Sequence, residues 1–506
     1  MSTPMVSLWL DTNPLPAPDP AAGRLSPDAQ YDTVIAGAGL TGLVTAVLLA
    51  RSGQRVAVLE ARSVGAVATG NTTAKVSLLQ GTILSEIRSH QTDTVLRAYV
   101  EGNREGQAWL LRYLDERGVP YQRRTAYTYA TTEQGAKTLR EELDAAQAAD
   151  LPVTWTEQTE LPFPVTGAIA LEDQAQIHPM QVLEALAAEL RERGGELIEG
   201  VRVTGAGIGS PLRVETTGGP VQADHLVLAT GAPILDRGGY FAKLLPHRSY
   251  ALAFRVPGAP GAIPQGMYLS ADAPSRSLRT APVGEEEYLL VGGNGHGVGR
   301  KDSPLAAVGD LEAWTKEHFP GAERTHAWSA QDYRSANHIP FIGTLPRGGG
   351  GIYVATGYNK WGMTNGVAAA LAISGELLGG NIPWADTLGK RLTTPSDLLT
   401  GAKDNLEVGV RVATGWAAAE SRALNPEPPV EGEGIVGRVD GRPVAVSTVD
   451  GQTCRLSAVC THLGGIVTWN DAENSWDCPL HGSRFAADGS VLEGPAVKAL
   501  PSKGDR

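Results

Sequence analysis

The sequence predicts an α/β chain followed by a small all-β unit, and three observations carry that prediction. First, an apolar strand, a glycine turn, a helical pattern and a second strand follow one another from Tyr31 within about 30 residues, the size of a βαβ unit. Second, a further apolar strand, residues 223–228, runs far downstream into Ala229-Thr230-Gly231. Third, after residue 430 short apolar runs alternate with Gly and Asp turns, at 434–439, 443–448 and 454–459, which is all-β texture.

The elements follow in order. Residues 1–30 predict an extended N-terminal arm, because Pro14, Pro16, Pro18 and Pro20 fall at every second position, and Trp9 and Leu10 are placed to dock it on the body. The helix after the glycine turn runs from Leu43 to Arg51 and is closed by Gly53; residues 56–59 form the second strand. Residues 90–150 read as helix-rich, with Trp109, Leu110, Tyr113 and Leu114 on one face. Helices and strands alternate again over 160–230, and residues 250–254 and 288–291 read as strands. Residues 351–355 form a strand, 356–366 a turn, and an Ala-rich helix then runs to Gly379-Gly380. The expected boundaries are the arm at 1–30, a nucleotide-type unit at 31–395, a linker at 396–430 containing Asn425-Pro426-Glu427-Pro428-Pro429, and the all-β unit at 431–506.

Composition narrows the function classes. The chain has 506 residues, 42% hydrophobic and 19% charged, with a net charge of −12. That balance excludes a disordered chain or coiled coil, and argues against nucleic acid or anionic membrane as partner. Three cysteines make no disulfide scaffold. No apolar run reaches the ~18 residues of a membrane span, and the N-terminus does not read as a signal peptide. A cytoplasmic location is the expectation; the oligomeric state is left open.

Gly37-Ala38-Gly39-Leu40-Thr41-Gly42 sits between strand and helix, where a dinucleotide fingerprint belongs. Gly37 allows the tight turn, Gly39 lets backbone approach a pyrophosphate, and Gly42 lets the helix pack on the strand. The helix N-terminus directs unpaired N–H groups at the phosphates. Glu60 ends the second strand, where a carboxylate accepts from ribose hydroxyls. A purely structural βα turn is the alternative, and the complete context favours the nucleotide.

At the other end, Cys460-Thr461-His462 and Cys478-Pro479-Leu480-His481 stand fifteen residues apart on Gly-rich loops. Two thiolates and two imidazoles suit a two-iron cluster; structural zinc is the alternative, but zinc fingers usually pair Cys with Cys and His with His. This pattern, with Gly494-Pro495-Ala496 and Leu500-Pro501, resembles the Rieske iron–sulfur domain. The resemblance implies a [2Fe-2S] cluster held by Cys460, His462, Cys478 and His481. Ser483 matches a hydroxyl donor of high-potential relatives; Phe485 stands where they carry a tyrosine. Gly465 and Leu480 occupy their two bridging cysteine positions, so no disulfide is expected there. The implied potential is low to middle within a range of about −150 to +300 mV. Cys454 reads as a buried core residue.

The nucleotide part resembles flavoproteins of the glycine oxidase and D-amino-acid oxidase type, on the strand ending Ala229-Thr230-Gly231, the turn Thr69–Val76 and the segment Tyr353–Gly357. The whole chain resembles the YhfW-like bacterial proteins, which fuse such a flavoprotein to a C-terminal Rieske domain. The segments Ser7–Asp11, Asn71–Val76, Trp328–Asp332 and Asn359–Gly366 carry that likeness. It implies a Rossmann-type FAD domain with an inserted α+β substrate domain, then a small all-β Rieske domain. It implies FAD binding at Gly37, Gly39, Gly42, Glu60, Arg62, Thr72, Lys75, Val203, Thr230, Gly231, Gly357, Lys360, Gly362, Met363 and Thr364. No His or Cys stands in the turn at 69–76, so non-covalent FAD is expected. Arg248, Tyr250 and Trp361 are the expected catalytic positions; Tyr268 and Arg279 lie in segments that could also line the pocket, and His247 and His338 could serve as bases. An Arg there would pair with a substrate carboxylate.

The implied activity is oxidation of an amine or amino acid, with electrons passing singly from flavin through the cluster to an external one-electron acceptor. A non-catalytic redox sensor, or a reductase component feeding another enzyme, is the competing expectation.

Overall fold

The computed structural model describes residues 5–15, 25, 29–390, 414–424 and 427–503. An eight-stranded sheet orders Phe341–Thr344, Ile352–Thr356, Val221–Leu228, Gln30–Ala36, Val56–Leu59 and Glu196–Ile198 side by side, with Val203–Ala206 and Leu212–Thr216 attached to the edge of Val221–Leu228. The central strands are parallel. All four residues of Val56–Leu59 are buried, as a strand covered on both faces requires. Helix Leu40–Arg51 presents Leu43, Val44, Val47 and Leu49 to this core.

The second sheet has nine strands and is inserted between strands of the first. Glu323–Ser335, Leu244–Arg255, Glu286–Gly297 and Arg276–Val283 pair antiparallel in that order. Met267–Ser270, Tyr121–Ala130, Gly167–Ile177 and the two-residue strand Lys75–Val76 continue it. Tyr121–Ala130 lies inside the stretch expected to be helical, between helices Asp93–Arg117 and Glu133–Ala148. Period-2 alternation is weak in that strand, because it is half-buried at one end and covered on both faces at the other.

The C-terminal unit stacks a three-stranded sheet, Gly434–Val439, Arg442–Val449 and Gln452–Ser457, and a four-stranded one, Thr468–Asn470, Ser475–Asp477, Arg484–Ala486 and Val491–Glu493. Its core is its own: Ala445, Leu456, Ile466, Trp476, Phe485 and Leu500 pack together. Cys454 is only half-buried, so the core assignment does not hold.

The arm is not simply extended. Leu8–Thr12 is helical, with Ser7 accepting from Trp9 N at 3.2 Å. The indole of Trp9 donates to Thr72 O at 2.7 Å, and the Arg279 guanidinium lies over its ring. The prolines begin only after this turn; Pro16, Pro18 and Pro20 lie outside the described residues. Most of the expected linker also lies outside them, but residues 414–421 are helical, and Trp416 and Ala419 pack on the C-terminal core.

Candidate functional site

The glycine turn is built as its sequence requires. Gly37 has φ +107°, and a Cβ there would stand 2.5 Å from Ala229 O. A Cβ on Gly42 would stand 2.0 Å from Gly37 O, so only glycine lets the helix start this close to the turn. Gly39 caps the helix in an extended conformation, and the nearest atom to an added Cβ is Thr69 Oγ1 at 3.1 Å.

From this turn a long cavity runs between the two large sheets. One end is lined by Gly37, Gly39, Glu60, Arg62, Arg202, Val203, Thr230 and Gly231. Glu60 accepts from Ala38 N at 2.8 Å and from Arg62 N at 2.9 Å, and burial pushes its carboxyl up from the usual range. The other end is lined by Thr69, Thr72, Thr73, Lys75, Gly357, Lys360, Trp361, Gly362 and Met363, under a roof that includes Tyr250, Ser277 and Gly292. Asn359 and Lys360 both take left-handed φ, which turns the chain into helix Gly362–Leu377. That helix starts at Gly362 and not after Gly366, so its N-terminal N–H groups face the cavity end directly.

Some expected residues stand elsewhere. Thr364 is buried with its hydroxyl donated to Asn103 Oδ1 at 2.6 Å, away from the cavity. Arg248 does not face a substrate: its guanidinium grips Glu473 through two hydrogen bonds, at 2.7 and 2.9 Å, and is 2% exposed. Arg279 is buried and donates to the carbonyls of Thr73, Ala74 and Ile177, bracing the turn that shapes the cavity. The Tyr268 hydroxyl is tied to Glu160 within a separate core. Tyr250 and Trp361 do line the cavity, and the Tyr250 hydroxyl lies 2.9 Å from His296 Nε2. His338 pairs with Glu86 at 3.0 Å; burial, then Lys360, pushes His247 down to about 4, and neither is part of the cavity wall.

Asp332 is a cavity residue that the sequence did not single out for chemistry. Burial pushes its carboxyl up to about 6, and its Oδ2 has no partner. Nothing in the local sequence distinguishes it from an ordinary strand residue.

The second locus is the pair of Cys–His loops. Each closes on itself in the same way: Cys460 N donates to Gly465 O at 2.8 Å and Gly464 N to Cys460 O at 3.1 Å, while Cys478 N donates to Ser483 O at 2.8 Å and Gly482 N to Cys478 O at 3.1 Å. Gly464 and Gly482 take positive φ to complete these turns. Both thiols are buried and free. A hydrogen bond from Cys478 holds the Cys460 thiol down to about 7 against burial; the partner thiol is pushed up. Backbone N–H groups of His462 and Leu463 add to the stabilisation of the Cys460 sulfur, as does the Ser483 hydroxyl. A Cβ on Gly465 would meet Leu480 at 2.6 Å, so the two positions where relatives carry cysteines are packed against each other.

The rings of His462 and His481 lie 5.1 Å apart. His462 Nδ1 is buried without a partner, while its Nε2 meets Asp236 Oδ1 at 3.1 Å. An orphaned ring nitrogen beside two clustered thiols is the donor set that a two-iron cluster needs. Among the described residues no three such side chains converge on one ion position.

The two loci share a wall. Leu492, Glu493 and Gly494 of the C-terminal unit line the cavity. So do Gln331 and Tyr333, whose side chains reach the other way: Gln331 Nε2 donates to Gly482 O at 2.7 Å and the Tyr333 hydroxyl to Gly494 O at 3.2 Å. Phe241 packs edge-on against both histidine rings. Arg202 donates to Val491 O and Arg300 to Pro479 O.

Comparison with known proteins gives both parts a relation. A family model described as FAD dependent oxidoreductase (DAO) matches residues 32–375, and one described as Rieske [2Fe-2S] domain matches residues 422–503. The putative Rieske 2Fe-2S iron-sulfur protein YhfW of Bacillus subtilis is 30% identical over 496 residues, 95% of each chain. The cytochrome b6-f complex iron-sulfur subunit of a Synechococcus strain is 58% identical over 45 residues, 9% of this chain and 26% of that one. Among solved structures, glycine oxidase from Geobacillus kaustophilus superposes with a TM-score of 0.60 at 20% identity, over 70% of this chain and 96% of that one. L-proline dehydrogenase from P. horikoshii superposes with a TM-score of 0.58 at 16% identity, over 70% and 95%. The chain belongs to the FAD dependent oxidoreductase family of the DAO type, and it carries a C-terminal Rieske [2Fe-2S] domain.

Proposed function

We propose that the chain oxidises a small amine or amino acid at the roofed end of the cavity and passes the electrons singly through the cluster to an external acceptor. When bound, FAD supplies two-electron hydride acceptance and the cluster a one-electron relay. The observation that carries this reading is the shared wall: Gln331 and Tyr333 line the cavity and hydrogen-bond the loop that bears His481 and the backbone at Gly494. A sensor or a separate electron-transfer module has no use for a cavity completed by both units. The glycine oxidase and L-proline dehydrogenase folds support a small amine or amino acid as substrate.

In this reading Gly37, Gly39 and the helix N-terminus receive the pyrophosphate, Glu60 the ribose, and the turn at 69–75 with the Gly357–Met363 segment the flavin. Cys460 and Cys478 hold one iron, His462 and His481 the other. Tyr250 and Trp361 shape the substrate side of the cavity.

The test is anaerobic. Glycine, sarcosine and L-proline are added in turn to the FAD- and iron-loaded protein while the flavin absorbance and the electron paramagnetic signal of the reduced cluster are followed. The expected result is flavin bleaching followed by the cluster signal, with steady turnover only when a one-electron acceptor is supplied. Flavin reduction that leaves the cluster oxidised would refute the relay.

A glycine pair separates cofactor binding from folding. Gly39→Val should give a folded protein without yellow colour, since its side chain enters the pyrophosphate path with only a side-chain oxygen to displace. Gly42→Ala forces a Cβ onto a backbone carbonyl and should cost about 1–3 kcal/mol of stability, read as a lower unfolding midpoint. Thermal unfolding with flavin quantitation distinguishes the two.

A further inference from the structure

Lys75 stands at the edge of the nine-stranded sheet, paired with Gln176, and its side chain enters the roofed end of the cavity beside Thr72, Thr73 and Ser277. It is 9% exposed, and its ammonium nitrogen is within hydrogen-bond reach of Ser277 Oγ. Among the described residues no carboxylate pairs with it. Gly292 adds no side chain to this wall: a Cβ there would lie 3.4 Å from Tyr250 O, 3.6 Å from Ser277 Cβ and 3.8 Å from Thr73 Cγ2.

The charges around Lys75 all disfavour a second cation. Arg279, from strand Arg276–Val283 of the same sheet, is fixed by the carbonyls of Thr73, Ala74 and Ile177, with its guanidinium over the ring of Trp9. His178, at the start of helix Pro179–Glu192, is kept neutral by burial and by Arg279. Arg124 and Glu287 act on Arg279 and not on Lys75. Burial, then Arg279, pushes the Lys75 ammonium down to about 7. An amine that donates one N–H to Ser277 keeps a lone pair for whatever fills the cavity.

Resting on the oxidation reading above, we propose that Lys75 is the catalytic proton acceptor that converts a bound substrate ammonium to the free amine. One N–H bond of the substrate breaks and one forms on Lys75 Nζ; the positive charge moves to the lysine, and the substrate nitrogen keeps the electron pair. Only the free amine can release hydride from its α-carbon, and the oxidant for that later step is FAD. Substrate carboxylate recognition by arginine, by contrast, has no free guanidinium at Arg248 or Arg279.

The sign of the pH dependence follows. The lysine is lowered from its ordinary value, so the accepting form predominates above about 7 and is lost as the pH falls through it.

The test uses FAD-loaded protein and benzoate, an anion whose charge does not change near neutrality, read through the flavin spectrum. Wild-type affinity should fall about tenfold per pH unit above about 7, as Lys75 loses its proton. Lys75→Met should bind weakly at every pH, and Lys75→Arg tightly at every pH, each affinity being read per bound FAD. Equal pH slopes in wild type and Lys75→Met, or no benzoate response at the acid end, would overturn the proposal.

The second readout is flavin reduction by glycine, sarcosine and L-proline. Wild type should speed up with pH through about 7, and both variants should lose that limb, since a guanidinium never becomes neutral. Rescue by Lys75→Arg would show a carboxylate clamp and overturn the acceptor role. If none of the three reduces the flavin, the oxidation reading fails, while the benzoate titration still decides whether Lys75 is a neutral acceptor in the cavity.

Discussion

Cys478→Ser is expected to abolish iron binding and leave a yellow protein. Cys478 is buried at the centre of the C-terminal core, 2% exposed, and its sulfur is one of only two thiols placed to hold iron. A hydroxyl does not replace a thiolate on ferric iron at neutral pH, so loss should be complete. The FAD domain should survive because its core residues, from Leu43 and Val47 to Ala369 and Ile373, pack without any residue of the C-terminal unit. Arg248 and its carboxylates lie outside the ligand loops and should keep Leu492–Gly494 on the cavity rim. Iron and flavin content of the purified variant check this directly. Loss of both cofactors would mean that the cluster loops hold the cavity together.

What was legible in the sequence was the chemistry with fixed local spacing. The turn at Gly37–Gly42 leaves a trace because backbone geometry permits no Cβ at Gly37 or Gly42. The Cys460 and Cys478 loops leave one because each sulfur is met by backbone N–H groups two and three residues on, His462 and Leu463 in one loop and Leu480 and His481 in the other. What depends on distant partners left none. Arg248 looked like a substrate clamp because a guanidinium on a roof strand carries no sign of a glutamate 225 positions away. Lys75 read as a cofactor contact; that its charge is suppressed depends first on its burial in the assembled cavity and then on Arg279, from a strand far along the chain. The helical turn at Leu8–Thr12 was hidden by the prolines that follow it, though Ser7 is an ordinary N-cap residue.

Arg248→Met should loosen the two units from each other and cost about 3–5 kcal/mol, the range for breaking a buried ion pair by removing one partner. Arg248 and Arg484 together face Glu473, Glu493 and Asp477. Arg484 donates to Asp477 at 2.9 Å and to Glu493 at 2.7 Å, so without Arg248 the bidentate partner of Glu473 is gone and one cation faces three carboxylates. Burial pushes the Glu473 carboxyl up, but Arg248 and Arg484 outweigh it and hold it far below the usual carboxylate range. Its stabilising contribution is therefore present above the unfolded value, about 4.3, and persists well into acid before it is lost. In the variant the surplus negative charge is relieved by protonation, so the stability deficit should be greatest near neutrality and shrink as the pH falls below about 4. Denaturant unfolding at several pH values measures this, and Arg248→Met/Glu473→Gln should recover part of the loss because the uncompensated charge is gone. Electron transfer offers an independent readout: the same variant should slow cluster reduction after flavin reduction, since Gln331 and Tyr333 hold the shared wall only while the units are docked. A deficit under about 1 kcal/mol, flat with pH, would show that the pair is an exposed-type contact and that docking rests on the apolar and backbone contacts alone.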